Sequence, residues 1–282
     1  MARTDTLKRG GCFTAIVLAG ERTGSDPVAQ AAGVPCKALA PVGGVPMVIR
    51  VLNALGDSDW IDTRILCGPA RVVVEQDGGL RALIHKGTVT WLEPGAAPST
   101  SAHAAMQTVA AGTPVLLTTA DHALLDSQIV DHFCDRAVHS GCDVVAAVAD
   151  AGAVQAAYPG VRRTVIALRD GAYSGCNLFA FLTPQARQAA RFWGRVEAQR
   201  KSPLRLIGHM GWMTALRYAL GALTLDDALA RLSRRMGVHA GTVTLPYPRA
   251  AIDVDRVSDW RFVNQEIDKP TRQGCGRARR TR

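Results

Sequence analysis

Short runs of β-branched and apolar residues alternate with stretches of helical periodicity along most of the chain. This alternation restricts the fold more than any other feature. Strands are expected at Phe13–Leu18, Thr63–Cys67, Thr88–Leu92, Pro114–Thr119, Asp143–Ala149, Thr164–Leu168, Asn177–Leu182 and Thr242–Leu245. Between them, Pro46–Leu55 sets Val48, Leu52 and Leu55 at helical spacing, and Ser101–Ala111, Ser127–His139 and Pro184–Arg200 also read as helices. The last is opened by Thr183-Pro184, a cap followed by a proline in the first turn, where its missing N–H has no helical partner to lose. The pattern predicts an α/β fold, a Rossmann-like, mostly parallel sheet with helices on both faces. Such sheets bind ligands at the carboxyl ends of their strands. Residues that directly follow a strand are therefore the first candidates for chemistry.

With 282 residues the chain can bury one large core. One domain is expected over 1–268, with a small helical insert at about 201–237 and a basic tail, 269–282, expected to be disordered. The insert carries Leu204, Leu206, Ile207, Met210, Trp212, Met213, Leu216, Leu220, Leu223 and Leu225 among scattered Arg and Lys. It reads either as packing on the sheet or as a surface for a hydrophobic acceptor or a peripheral membrane contact. The formal charge is +9, but Lys269, Arg272, Arg277, Arg279, Arg280 and Arg282 supply six of those charges. The remainder is only weakly basic, which argues against a nucleic-acid partner for the folded part.

Cysteines 12, 36, 67, 134, 142, 176 and 275 are odd in number, scattered and without a Cys-x-x-Cys pair. A disulfide framework and a zinc site are both disfavoured, and a reducing cytoplasm is expected. The histidines show no metal-binding spacing, and no Gly-x-Ser-x-Gly elbow is present. Lys8 and Arg9 precede the apolar run Cys12–Ala19, but its shortness and β-branched content predict a buried first strand rather than a signal peptide. No stretch approaches the ~20 apolar residues of a membrane span.

Three segments carry candidate chemistry. Directly after the first strand comes Leu18-Ala19-Gly20-Glu21-Arg22, then Pro35-Cys36-Lys37-Ala38-Leu39 and Val42-Gly43-Gly44-Val45-Pro46-Met47. Ala19 and Gly20 have no bulky side chain, so a nucleotide can approach the backbone there. Arg22 offers a planar fork for phosphate and Lys37 a compact charge on the same polyanion. The second segment, Pro114 to Leu125, delivers Asp121 from a buried strand, placed either to hold a hard cation such as Mg²⁺ or to cap a helix. In the third, Ala251-Ile252-Asp253-Val254-Asp255, period-two spacing sets Asp253 and Asp255 on one face of an extended segment, while Asp259 falls in the first turn of a final helix. The small-residue loop Pro94 to Met106 enters a helix whose N–H groups can bind a base or phosphate, with Ser99 or Ser101 the candidate there and plain capping the alternative.

Taken together, Leu-Ala-Gly, Arg22, Pro-x-Lys-Ala-Leu and Val-Gly-Gly-x-Pro-Met resemble the signature of the MobA-like NTP-transferases, within the sugar-phosphate and molybdenum-cofactor nucleotidyltransferases. The likeness is close over 13–56 and sparser to about 265. It implies a GT-A-like nucleotidyltransferase fold that moves a nucleoside monophosphate from an NTP to a phosphorylated acceptor. Leu18, Ala19 and Gly20 would read the base, and Arg22 and Lys37 would bind the triphosphate. Asp121 with Asp253 or Asp255 would hold Mg²⁺, with Mn²⁺ as the substitute ion. Tyr173-Ser174-Gly175-Cys176-Asn177 resembles the family's Gly-x-Asn element, which places Asn177 at the acceptor, though a turn-closing role is the alternative. The acceptor is open among a sugar or polyol phosphate, a lipid-headgroup phosphate and a molybdopterin. Glu21, where the family commonly has glycine, and His122-Ala123, where it has a Met-Pro-like turn, depart from the pattern. They support a rival reading as a non-catalytic nucleotide-binding regulatory protein.

Overall fold

A computed structural model describes residues 13–21, 26–187 and 212–268. Eight of its strands make one sheet in the order β10-β7-β9-β6-β1-β4-β5, with β8 paired to β9. The strands are β1 (Phe13–Leu18), β4 (Ile61–Cys67), β5 (Thr90–Leu92), β6 (Val115–Thr119), β7 (Val144–Asp150), β8 (Val165–Leu168), β9 (Gly171–Phe181) and β10 (Ala240–Thr244); β2 (Pro41–Val42) and β3 (Val45–Pro46) form a separate hairpin. Strand pairs β1–β4, β1–β6, β4–β5 and β7–β10 are parallel, whereas β9 runs antiparallel to β6, β7 and β8. The expected mostly parallel α/β sheet is what forms.

Burial explains the central position of β1. Its residues Phe13 to Val17 are all buried, because helices cover both faces and a strand so covered needs no polar side. On one face Phe13, Ala15 and Val17 join a core with helices Met47–Gly56 and Ser127–Val138. On the other, Ile16 and Leu117 pack with Ala102, Ala105 and Met106 of helix Pro98–Thr108. Each fully buried Ile, Leu or Phe contributes roughly 1.5–3 kcal/mol of transfer free energy. The chain leaves β1 towards β4 and β5 on one side, then crosses back to β6 on the other and continues to β7. The loops after β1 and β6 thus part in opposite directions at neighbouring strands, which leaves a crevice at their carboxyl ends.

Several elements differ from the sequence expectations. β9 begins at Gly171, six residues before the expected Asn177, because pairing with β8 across the Arg169-Asp170 turn draws Gly171, Ser174 and Gly175 into a strand that their propensities disfavour. Helix Pro98–Thr108 begins and ends about three residues before the expected 101–111. Of the expected helix at 184–200, the structure describes the first turn, to residue 187. The insert contains helices Trp212–Ala219 and Leu225–Met236, the latter capped by Thr224 and closed at Gly237 with φ +68°. Leu223 is buried, and two bonds moor the insert to the β8–β9 turn: Arg169 N–H to the Leu223 carbonyl (2.9 Å) and Leu225 N–H to Asp170 (3.1 Å). The beginning of the insert, 201–211, and the basic tail, 269–282, lie outside the described residues. No helix among the described residues is long and apolar enough to cross a membrane.

Candidate active site

The crevice gathers three of the sequence-predicted carboxylates around one lysine. Ala19 N–H donates to the Cys67 carbonyl (2.8 Å) and Ala120 N–H to the Leu18 carbonyl (2.9 Å), which locks the ends of β1, β4 and β6 together. Asp121 lies two residues beyond the end of β6. Its Oδ1 accepts from Thr119 Oγ (2.5 Å) and its Oδ2 from Lys37 Nζ (2.6 Å). Lys37 also lies 3.5 Å from Asp255. The third segment reaches this place because Val254 N–H donates to the Asp121 carbonyl (3.0 Å), a backbone tie that sets Asp253 and Asp255 on either side of it in sequence. Asp259 stands in the first turn of helix Val257–Asp268 and accepts from the N–H groups of Asp255 (3.2 Å) and Arg256 (2.9 Å). Its place in the first turn is the expected one, and its carboxylate ties down the approach to the helix.

Asp253 is buried, and its carboxylate is held by Arg163 and by Asn177 Nδ2 (2.5 Å). Burial, and then the nearby Asp121 and Asp255, raise its pKa against the lowering effect of Arg163. Asn177 has φ +48°, an unusual backbone state for a residue other than glycine, at an irregularity in the β7–β9 pairing. The backbone is bent there, and the side chain bonds the carboxylate. Burial alone would lower the pKa of Lys37, but Asp121, then Asp255 and Asp253, outweigh it and raise the value, so the lysine stays charged.

Two departures from the family pattern acquire structural roles. Glu21 Oε1 accepts from the backbone N–H of Lys37 (3.2 Å), which closes the long loop between them. Asp26 in that loop caps helix Pro27–Ala32 through Val28 N–H (2.8 Å) and Ala29 N–H (3.2 Å). His122 is buried beneath the site; burial lowers its pKa to about 4, so it is neutral at ordinary pH. Its ring nitrogens make no well-formed hydrogen bond among the described residues, although the Ala250 backbone lies near enough to favour the proton slightly.

The remaining candidates divide. Arg22 lies outside the described residues. Ser101 is buried and accepts from Gly95 N–H (2.9 Å), so its hydroxyl fixes the loop that precedes the helix; Ser99 is half-buried in that helix's first turn. Gly68, at φ +86°, sits so close to the nucleotide-binding candidates that a Cβ there would meet the backbone of Ala19 and Gly20 at 2.9 Å. Sequence reasoning missed Arg163, Thr119 and Gly68. Arg163 belongs to no motif and meets Asp253 only through the fold. Thr119, two residues before Asp121 in a strand, carried the period-two signal that could have found it.

A divalent cation fits this donor set in a particular way. Asp121, Asp253 and Asp255 are hard oxygen donors, yet among the described residues no three His, Cys, Asp or Glu side chains gather closely enough to enclose a metal. An ion bound here would take one or two carboxylates and complete its shell with water and phosphate oxygens, the habit of Mg²⁺.

A family model described as the MobA-like NTP transferase domain matches residues 15–240. A solved hypothetical transferase from Thermus thermophilus is 30% identical, covering 88% of this chain and 99% of that one, with a TM-score of 0.69. At 13% identity, CMP:2-keto-3-deoxy-manno-octonic acid synthetase complexed with CTP covers 90% of this chain and 98% of its own, with a TM-score of 0.56. The 4-diphosphocytidyl-2C-methyl-D-erythritol synthase of Anaerococcus prevotii covers 93% and 98% at 14% identity, with a TM-score of 0.54. The last two likenesses establish the fold. No curated protein matches the chain.

Proposed function

The chain belongs to the MobA-like NTP transferases, a nucleotidyltransferase family, and we propose that it transfers a nucleoside monophosphate from an NTP to a small phosphorylated acceptor. The observation that carries this reading is Lys37 Nζ, 2.6 Å from Asp121 and 3.5 Å from Asp255, at the crevice beside Ala19 and Gly20. A charged ammonium and hard carboxylates at this spot suit a bound triphosphate and its counter-ion.

In the reaction, an acceptor phosphate oxygen forms a bond to the α-phosphorus. The bond from that phosphorus to the oxygen bridging to the β-phosphorus breaks, and pyrophosphate leaves with the electron pair. An acceptor phosphate is already ionised, so no general base is required, and orientation supplies much of the rate. Lys37 offsets charge on the departing pyrophosphate, a contribution made in the transition state. Arg22 is proposed to join it on the phosphates. Thr119 orients Asp121, while Arg163 and Asn177 orient Asp253. Asp121 with Asp253 or Asp255 is the proposed Mg²⁺ or Mn²⁺ site, and the ion would supply electrostatic stabilisation of the triphosphate. Cytidine nucleotides are the first to test, since two structures of the same fold are named for cytidylyl chemistry.

The test is pyrophosphate release from each of the four NTPs with Mg²⁺ against a panel of polyol, sugar and headgroup phosphates. Release with at least one pair is expected, and Lys37→Ala or Asp121→Ala should lower kcat by about 10²–10³ while leaving a folded protein. Unchanged turnover in both variants would refute the assignment.

A further inference from the structure

Arg163, whose Nη1 holds Asp253, also lines a recess of about 490 Å³ between helix Ala151–Ala157, the 159–163 segment and the β8–β9 hairpin. The recess lies outside the crevice between β1 and β6, yet shares a wall with its carboxylate cluster. Two features of that wall are unusual. Ser174 is buried, and its Oγ has no hydrogen-bond partner among the described residues. Arg163 Nε is likewise buried and without a partner among the described residues. Buried donors left unmatched are destabilising by about 1–3 kcal/mol each, and more for charged groups. Beside them Arg162 stands exposed, and Val154, Val161 and Val165 supply apolar walls.

Accepting the transferase reading, on which this step rests, we propose that the recess is the acceptor subsite. It takes a small phosphorylated molecule whose phosphate is bound by Arg162 and Arg163 and whose hydroxyl-bearing body meets Ser174. A guanidinium has five donors in a planar fork, so Arg163 can keep Asp253 on Nη1 while another nitrogen takes a phosphate oxygen. That arrangement sets the acceptor phosphate beside the carboxylate cluster, where the α-phosphorus must lie. The volume is in the lower part of the range for small-molecule sites, ~300–1,000 Å³. A compact polyol phosphate suits it, and an acyl chain would have to remain outside.

Calorimetric titration of the full chain with sn-glycerol 3-phosphate, and separately with inorganic phosphate, tests this directly. The wild type should bind glycerol 3-phosphate saturably, and more tightly than inorganic phosphate. Arg162→Ala should weaken binding about tenfold and Ser174→Ala a few-fold, the loss of one charge-assisted and one neutral hydrogen bond. CTP affinity should stay within about twofold of wild type, because neither residue lines the crevice. In turnover, both substitutions should raise the acceptor KM far more than they lower kcat. The inference is overturned if glycerol 3-phosphate does not bind in the millimolar range, or if both variants bind it as the wild type does. The two readings fail separately. Pyrophosphate release indifferent to both substitutions overturns the recess and keeps the transferase. Anion binding governed by Arg162 and Ser174, with no turnover on any NTP and acceptor, overturns the transferase and with it the acceptor role.

Discussion

The sharpest quantitative expectation concerns His122, one residue after the central aspartate. It is buried to 1% exposure and has its pKa lowered to about 4 from an ordinary value of 6.5, chiefly by burial and also by Arg163, with Asp121 opposing. Above pH 6.5 the ring is neutral whether the chain is folded or not, so its contribution to stability is fully present. Between pH 6.5 and 4 the unfolded chain takes up a proton that the folded one refuses. Stability is therefore lost as pH falls through that window. A difference of about 2.5 pH units at 1.36 kcal/mol each corresponds to about 3 kcal/mol. Urea unfolding at pH 7 and pH 4.5 measures the loss, and the same pair of curves on His122→Gln isolates it from carboxylates that also titrate. The wild type should lose about 2–3 kcal/mol more than the variant. Equal pH dependence in both proteins would show that the ring is not buried neutral. Should the variant fail to fold, the imidazole proton shifts of the wild type decide the matter: they must stay at their neutral position down to pH 5.

Two further outcomes follow from local geometry. Gly68→Ala places a methyl group 2.9 Å from the Ala19 and Gly20 backbone at φ +86°, so thermal unfolding should report a loss of about 1–3 kcal/mol and nucleotide affinity should fall with it; wild-type values for both would contradict the close approach. Asn177→Ala must adopt φ +48° and should lose about 1–2 kcal/mol relative to Asn177→Gly. Both variants lack the bond to Asp253 and should lower kcat alike, whereas full activity in the glycine variant would remove Asn177 from the positioning role.

The class of fold, and most residues of the candidate site, were legible from local patterning alone. Phe13–Leu18 read as a buried strand rather than a leader, because a short, β-branched run with Thr14 its one polar residue, ended by Ala-Gly, has almost no polar face to show water. Asp121, Asp253 and Lys37 were legible because each follows or forms part of a strongly patterned segment, and strand ends in parallel sheets face the ligand. Glu21 and His122 were visible only as departures from a family pattern, and their effects depend on neighbours far away in the chain. The closing bond from Glu21 requires the Lys37 backbone to return to it, and the neutrality of His122 requires water to be excluded from every side. Arg163 left no trace in local sequence, since a guanidinium 90 residues from its carboxylate is recognisable only once β8, β9 and the 251–255 segment have converged. Local periodicity fixes which residues lie on one side of a strand or helix. Which buried charges meet, and what they do to one another's protons, is decided by packing, because electrostatic energy depends on separation and solvent exclusion and not on order along the chain.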